Sequence, residues 1–260
     1  MPVNRVRWLI FAAVLVIVVL AILGAVSRPR DGSPGGSPSP PAAPSAAPAA
    51  PSAAPAAPSA APAATTATVA PGTVLSLTRL LDLLAVRVED RTGYKRSLFD
   101  HWIDADGDGC DTRRDVLIEE ATVAPSVTAG CHLTGGRWHS SYDGLETTNS
   151  STFDVDHVVP LAEAWDSGAS AWTPNRRMRF ANDIDVPWSL IAVSASSNRA
   201  KSDGDPADWL PPLVTVRCDY AADWLAVKVR WSLAIDAREL AALEPLAREC
   251  PDTMPVLLAP

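Results

Sequence analysis

The sequence is poor in the side chains that most often build metal and redox centres. Among 260 residues there are four histidines and four cysteines, and no two cysteines form a CxxC pair. A zinc ribbon or a thiol-redox motif is therefore without its usual frame. Positive charge is also short: 22 Lys and Arg stand against 30 Asp and Glu, a formal net of −8. Four of those arginines but only one aspartate precede residue 72, so the remainder is more acidic still. Such a chain cannot grip a polyanion by bulk attraction, although a cation site built from carboxylates stays open to it. Long apolar runs are scarce too. The one able to cross a bilayer is 8–26, "WLIFAAVLVIVVLAILGAV", which carries no charge.

Arg5 and Arg7 precede that run, so it reads as a signal anchor with its N-terminus inside. A cleaved signal peptide is the alternative, because Gly24 and Ala25 offer small residues near its end. Either reading sends the rest of the chain out of the cytoplasm. From 31 to 71 the sequence is almost entirely Gly, Ser, Pro and Ala, and "AAPSAAP" recurs at 42–48, 49–55 and 56–62. Proline in every repeat excludes a helix. A polyproline-like spacer is expected, able to reach ~130 Å at ~3.1 Å per residue. Three parts follow: 1–30 anchor or signal, 31–71 spacer, and 72–260 one folded domain.

Cys110, Cys131, Cys218 and Cys250 all fall in that domain. Outside the cytoplasm an even count reads as disulfides. Cys110–Cys131 with Cys218–Cys250 is favoured among the possible pairings, since each bridge closes a local loop; a zinc site is the alternative. Helical spacing of apolar residues predicts a helix over 76–88. Short strands and loops are expected from 93 to 152. Further on, 161–168 reads as two helical turns stopped by Gly168, and Thr173 caps a helix with Pro174 in its first turn. "SLIAVS" (189–194) reads as a strand, "SSNRAKSD" as a helix start and "DPADWLPP" as a short helix. Residues 220–235 and 236–249 read as two closing helices, with Asp236 and Glu239 spaced as a capping box.

Chemistry concentrates in two segments about forty residues apart. "FDVDHVVPLAEAW" (153–165) sets His157 beside Asp156, with Asp154 two residues earlier. "NRAKSD" (198–203) follows the short strand and offers an amide oxygen at Asn198, cations at Arg199 and Lys201, and Asp203 to orient them. A strand-end histidine paired to an aspartate is common architecture by itself. Joined with the second segment, it assembles what phosphodiester hydrolysis needs: a base for water, oxygen ligands for a divalent ion, and cations for phosphate.

These two segments resemble the HNH (ββα-metal) endonucleases. Together with "DGDGCDTRRDVL", "FAND" and "CDYAADWLAVKVRW", they are similar to secreted actinobacterial proteins whose domain is like the C-terminal nuclease domain of GmrSD restriction enzymes. The resemblance covers roughly 94–243. It implies an α+β fold with a ββα-metal core, flanking helices and disulfides. It implies His157 as general base, and Asp156 and Asn198 as ligands of one divalent metal, Mg²⁺ first, with Mn²⁺ or Ca²⁺ as substitutes. Lys201, Arg199 and Arg113 would bind phosphate, Asp111 would line the same cleft, and Asp154 and Asp203 would orient the ligands. The product would be DNA, or RNA, cut to leave 5′-phosphate ends, without strong sequence preference and with no protein partner. One position departs from the pattern: the middle asparagine, which braces the loop carrying the base, falls on Ser189, which cannot bond twice as an amide does.

"DADGDGCDTRRD" (104–115) competes for attention. Asp104, Asp106, Asp108 and Gly109 match an EF-hand start, but Asp111 and Asp115 occupy the eighth and twelfth positions, where an apolar residue and glutamate belong. A loop rich in Asx turns and tied by Cys110 fits better. Arg176, Arg177 and Arg179 with Arg199 and Lys201 form a candidate phosphate-facing cluster, a solvated helix face being the plain alternative. His101, His132 and His139 lack ligand spacing, and the tryptophans of the later helices read as core. The rival class is a non-enzymatic calcium-binding envelope protein with a degenerate nuclease core. A cell-wall hydrolase would need a zinc or a carboxylate pair that cannot be assembled from these segments.

Overall fold

In the computed structural model, described for residues 73–250 and, as backbone, for 253–256, local signals are redistributed by tertiary pairing. The membrane-spanning and spacer expectations for 1–71 lie outside the described residues. Among the described residues no helix is long and apolar enough to cross a membrane.

Strand β1 (Thr73–Ser76) pairs antiparallel with the last strand, β8 (Thr253–Val256). Helix α1 (Leu77–Asp82) follows, capped by the Ser76 hydroxyl. It ends earlier than the apolar spacing predicts. Val86 instead forms a parallel bridge with Ile235, Arg87 N donates to Ile235 O at 2.9 Å, and Ile235 N donates to Ala85 O at 3.0 Å. Backbone bonds to a distant segment replace those the helix would have continued.

Helix α2 (Thr112–Glu119) lies where only loops and strands are expected. Its start is set by Asp111, whose side chain accepts from Arg114 N. Short antiparallel pairs follow: β2 (Ser126–Thr128) with β3 (His132–Thr134), then β4 (Trp138–His139) with β5 (Glu146–Thr147). Then come β6 (Phe153–His157), α3 (Leu161–Asp166), α4 (Pro174–Ala181), β7 (Leu190–Ser194) and α5 (Ala195–Lys201). Gly168 (φ 128°) takes the chain out of α3 in a conformation that favours glycine. Residues 205–212 form a turn rather than the expected helix, because the Asp205 carboxylate takes the N–H groups of Ala207 and Asp208.

The chain closes with α6 (Arg217–Trp231) and α7 (Ala237–Glu249). Asp236 caps α7, its side chain accepting from Glu239 N. Glu239 does not complete the box: its carboxylate is buried against Lys228 and Trp224. Both expected disulfides are present, Cys110–Cys131 and Cys218–Cys250.

Two apolar layers enclose the central ribbon of β6 and β7. The larger core joins α1, α3, α4, α6 and α7 through residues such as Leu80, Trp165, Phe180, Trp224 and Leu243. A smaller one packs Val116, Leu117 and Trp138 against Phe153, Val155, Leu190 and Ala192. The result mixes α and β, with two-stranded sheets and seven α-helices among the described residues.

Candidate functional site

The two segments singled out in the sequence meet on one ribbon. Strand β6 pairs with β7 in the register Phe153↔Ser194, Val155↔Ala192 and His157↔Leu190. Successive side chains of a strand point to opposite faces. Phe153, Val155 and His157 therefore share the face against α2, while Asp154 and Asp156 share the face that carries α5. Helix α5 starts directly from β7, with Ser194 as N-cap. It is anchored by Asp143, whose Oδ2 accepts from the hydroxyls of Ser194 (2.5 Å) and Ser197 (2.7 Å).

Two rungs connect α5 to β6. Asn198 Nδ2 donates to Asp154 Oδ2 at 3.3 Å. One helical step on, Lys201 Nζ donates to Asp156 Oδ2 at 2.7 Å and to the His157 carbonyl at 2.8 Å. Asp156 Oδ2 also accepts from the Tyr142 hydroxyl at 2.7 Å. The lysine and the aspartate are 1% and 6% exposed. Burial pushes Asp156 above the usual carboxylate range, with Lys201 and Tyr142 partly offsetting it. Burial pulls Lys201 down against the opposing pull of Asp156. The Tyr142 phenol is held well above its ordinary value by burial and by Asp156, so it stays a donor.

His157 lies on the other face, 6% exposed. Its Nε2 is 2.9 Å from the Ala181 carbonyl, which can only accept. That bond assigns the proton to Nε2 and leaves Nδ1 as the basic nitrogen. The ring lies between Trp102 (centroids 5.2 Å apart) and Phe180 (6.4 Å, interplanar angle 20°). Trp102 itself holds φ 61°, a costly conformation for a bulky residue. Burial lowers the His157 pKa to about 3, so the imidazole is neutral throughout the physiological range.

The remaining predicted residues fall around this unit. Arg199, whose side chain is 77% exposed, sits 3.8 Å from Asp154 Oδ2. Arg113 Nη2 donates to the Phe153 carbonyl at 2.8 Å, at the start of β6. Asp203 is exposed and 3.8 Å from Arg91. Asp111 is occupied as the cap of α2. Ser189 turns its hydroxyl to Asp183 (3.1 Å), while its carbonyl accepts from Val158 N at 3.1 Å, directly after His157. The brace expected of a side chain is thus made by main chain. Asp183 in turn accepts two bonds from Arg230 (2.7 and 2.9 Å) and one from Trp231 (2.8 Å).

The structure joins Asp154 to Asn198 and Asp156 to Lys201; it does not put His157 on their side of the ribbon. The expected arginine cluster does not assemble. Arg177 is buried and donates to the carbonyls of Leu98 and Trp172, Arg176 donates to the Trp231 carbonyl, and Lys201 is sealed. Tyr142, Asp143, Ala181 and Trp102 were not legible as site residues, because only the folded register brings them near.

Two oxygens on this face could serve a hard cation. Asn198 spends its amide N–H on Asp154, which leaves Oδ1 as a ligand atom. Asp156 has Oδ2 committed, which leaves Oδ1. One anionic and one neutral oxygen match Mg²⁺, Mn²⁺ or Ca²⁺ better than zinc. In the 104–109 loop the carboxylates are exposed and bond the loop's own main chain. Asp104 accepts from Gly107 N and Gly109 N, Asp106 from Asp108 N, and Asp108 from Cys110 N.

No solved structure matches the chain. It is 42% identical over 172 residues to an "Uncharacterized secreted protein" of Arthroderma benhamiae, an alignment spanning 66% of this chain and 83% of the relative. Residues 112–243, which run from α2 into α7 and contain the whole ribbon, match the family described as GmrSD restriction endonucleases, C-terminal domain. The chain belongs to that family.

Proposed function

We propose that the protein is an extracytoplasmic, metal-dependent endonuclease of the HNH (ββα-metal) type that hydrolyses phosphodiester bonds of DNA, and of RNA as a second substrate. The observation that carries this reading is the strand–strand–helix unit. It places Asp154 and Asp156 opposite Asn198 and Lys201 and ends β6 on a neutral histidine with its tautomer set. Family membership supports the reaction class. Two disulfides and the secreted relative support a place outside the cytoplasm. The apolar run 8–26 supplies the anchor or signal.

Asn198 and Asp156 would hold one divalent ion, Mg²⁺ by preference. Bound there, the ion would supply charge stabilisation for the phosphate and the leaving oxygen. Nδ1 of His157 would take the proton of the attacking water once the imidazole, which faces away from Asp156 and Asn198 in this structure, has swung round the end of β6 to their side. Ala181 holds the imidazole in its packed position, and the ring must move past Trp102 for water to reach it. Lys201, sealed behind Asp156, acts as a positioning residue: it holds the carboxylate and the His157 carbonyl in one place. Phosphate would meet Arg199 first, with Arg113 fixing the start of β6. Asp154 orients the Asn198 amide, and Asp203 steadies Arg91. Since the domain is acidic, substrate would be held locally and salt-sensitively.

Incubating the full chain with supercoiled plasmid tests this. Nicking in Mg²⁺ or Mn²⁺ that EDTA abolishes is the expected result. Intact plasmid in every metal would remove the reading and favour a calcium-binding envelope protein built on the Asp104–Asp106–Asp108 loop, whose carboxylates lie within 4.8 Å of one another.

A further inference from the structure

Around α3, carboxylates converge that have no part in the proposed cleavage. Glu89, Glu163 and Asp166 bring carboxylate oxygens within 4.8 Å of one another. Asp236 and Glu239 stand beside them, Glu89 with these two forming a second such group. Lys228, fully buried, balances part of this charge by bonding Glu163 Oε1 at 2.8 Å and Glu239 Oε2 at 2.5 Å. Arg91 Nε holds Asp166 Oδ2 at 2.5 Å. The exposed Arg87 lines the rim. Five carboxylates thus face three cations.

Two oxygens in this group are left over. Asp166 Oδ1 and Glu89 Oε1 are buried and have no hydrogen-bond partner among the described residues. The Asp166 side chain is 3% exposed. An unsatisfied buried acceptor is costly, and Glu89, raised to about 8 by burial and by Glu163 and Asp236, relieves part of that cost by holding a proton against Glu163. Both residues line one pocket of about 170 Å³, together with Ser167, Gly168, Ala234 and Ile235. That volume accommodates an ion with water. All the ligand atoms are oxygens, and Asp166 Oδ1, on a side chain 3% exposed, has no hydrogen-bond donor of its own.

We propose that this pocket is a second divalent-cation site, of calcium type, in which Asp166 Oδ1 and Glu89 Oε1 with the Glu163 carboxylate hold the ion. The site joins three separate stretches of chain. Glu89 belongs to the segment bridged to Ile235, Glu163 and Asp166 to α3, and the 232–236 turn closes over them, with Ala234 N donating to Ser167 O at 2.8 Å. Because α3 leaves β6 through only Val158, Val159 and Pro160, an ion here steadies the base of the ribbon without touching it.

The test is a melting experiment with the full chain, stripped by EDTA and titrated with Ca²⁺ alone, without nucleic acid. The expected result is a rise in Tm on the order of 5 °C at saturation. It should persist in Asp156→Asn and vanish in Glu89→Gln/Asp166→Asn, each variant being compared with its own calcium-free Tm because Asp166→Asn also removes the ion pair with Arg91. If the double variant does not fold, Glu89→Gln alone should bind one calcium fewer than wild type by calorimetry. A calcium shift that survives the double variant, one lost instead in Asp104→Asn/Asp106→Asn, or no shift at all would overturn the proposal. None of these readouts depends on cleavage, so failure of the nuclease reading would leave them interpretable.

Discussion

Lys201 bonds at once the carboxylate of Asp156, at 2.7 Å, and the main-chain carbonyl of its neighbour His157, at 2.8 Å. One buried ammonium thereby ties α5 to the end of β6 and sets two adjacent residues whose side chains leave the strand in opposite directions. Removing it leaves Asp156 buried with only Tyr142 as partner, the situation in which a broken buried ion pair is most damaging. Lys201→Met should lower stability by about 3–5 kcal/mol. Thermal unfolding monitored by circular dichroism would show this as a lowered Tm. Unchanged melting would mean that the pair contributes nothing to holding the ribbon.

Asn198 contrasts with Lys201, being partly exposed and bonded to the protein through one long contact. Asn198→Ala should leave stability within about 0.5 kcal/mol of wild type. Metal-dependent cleavage should nevertheless fall on the order of 100-fold, because a ligand oxygen is lost. Initial rates of plasmid nicking across a Mg²⁺ titration separate the two effects. A fall in Tm that parallels the fall in rate would reduce Asn198 to a structural residue.

Stability should pass through a maximum near pH 5–6, for two opposed reasons. His157 has its pKa lowered by burial to about 3. The unfolded chain therefore takes up that proton below about pH 6.5 while the fold resists until about 3, and stability is lost as pH falls through this window. Glu120 behaves oppositely. Burial raises its carboxyl to about 8, although its bond from Ala192 N (2.7 Å) pulls the other way. The unfolded chain releases this proton near pH 4.5 and the fold near 8, so stability is lost as pH rises between them. Because Glu120 is partly exposed as a residue, its contribution is on the order of 2 kcal/mol rather than the full value of the shift. Glu89 and Glu239, raised by burial to about 8 and about 7, act in the same sense, so melting temperatures from pH 3 to 9 should show both limbs, and Glu120→Gln should make the alkaline one shallower without removing it. An alkaline limb unchanged by Glu120→Gln would place its origin elsewhere.

Much of this unit was legible before folding was considered. The β7–α5 transition is written in "SLIAVSASSNRAKSD", where an apolar run meets a serine cap, and Thr173 with Pro174 marks α4 as plainly. Both disulfides follow from loop length. What was not legible depends on distant partners. Apolar spacing continues through Val86, yet that residue leaves the helix to bridge Ile235. Glu239 has capping-box spacing, but Lys228 and Trp224 claim it. Lys201 looks like a phosphate ligand in "NRAKSD", and only the register of β6 on β7 shows that it faces inward. The strand alternation that separates His157 from Asp156 is implicit in their adjacency. Its consequence, a histidine packed between Trp102 and Phe180, needed segments some fifty residues upstream and twenty downstream.

The central claim is that His157 is the base of a nuclease centre built on this ribbon. It is tested most directly by the cleavage rate of His157→Ala beside wild type in Mg²⁺, with and without added imidazole. The account predicts a fall of roughly 10²–10⁴-fold, with Mg²⁺ still required and activity partly restored when free imidazole occupies the space the ring leaves. Cleavage by His157→Ala at the wild-type rate would contradict it, leaving the histidine as a packed core residue and the catalytic base still to be found.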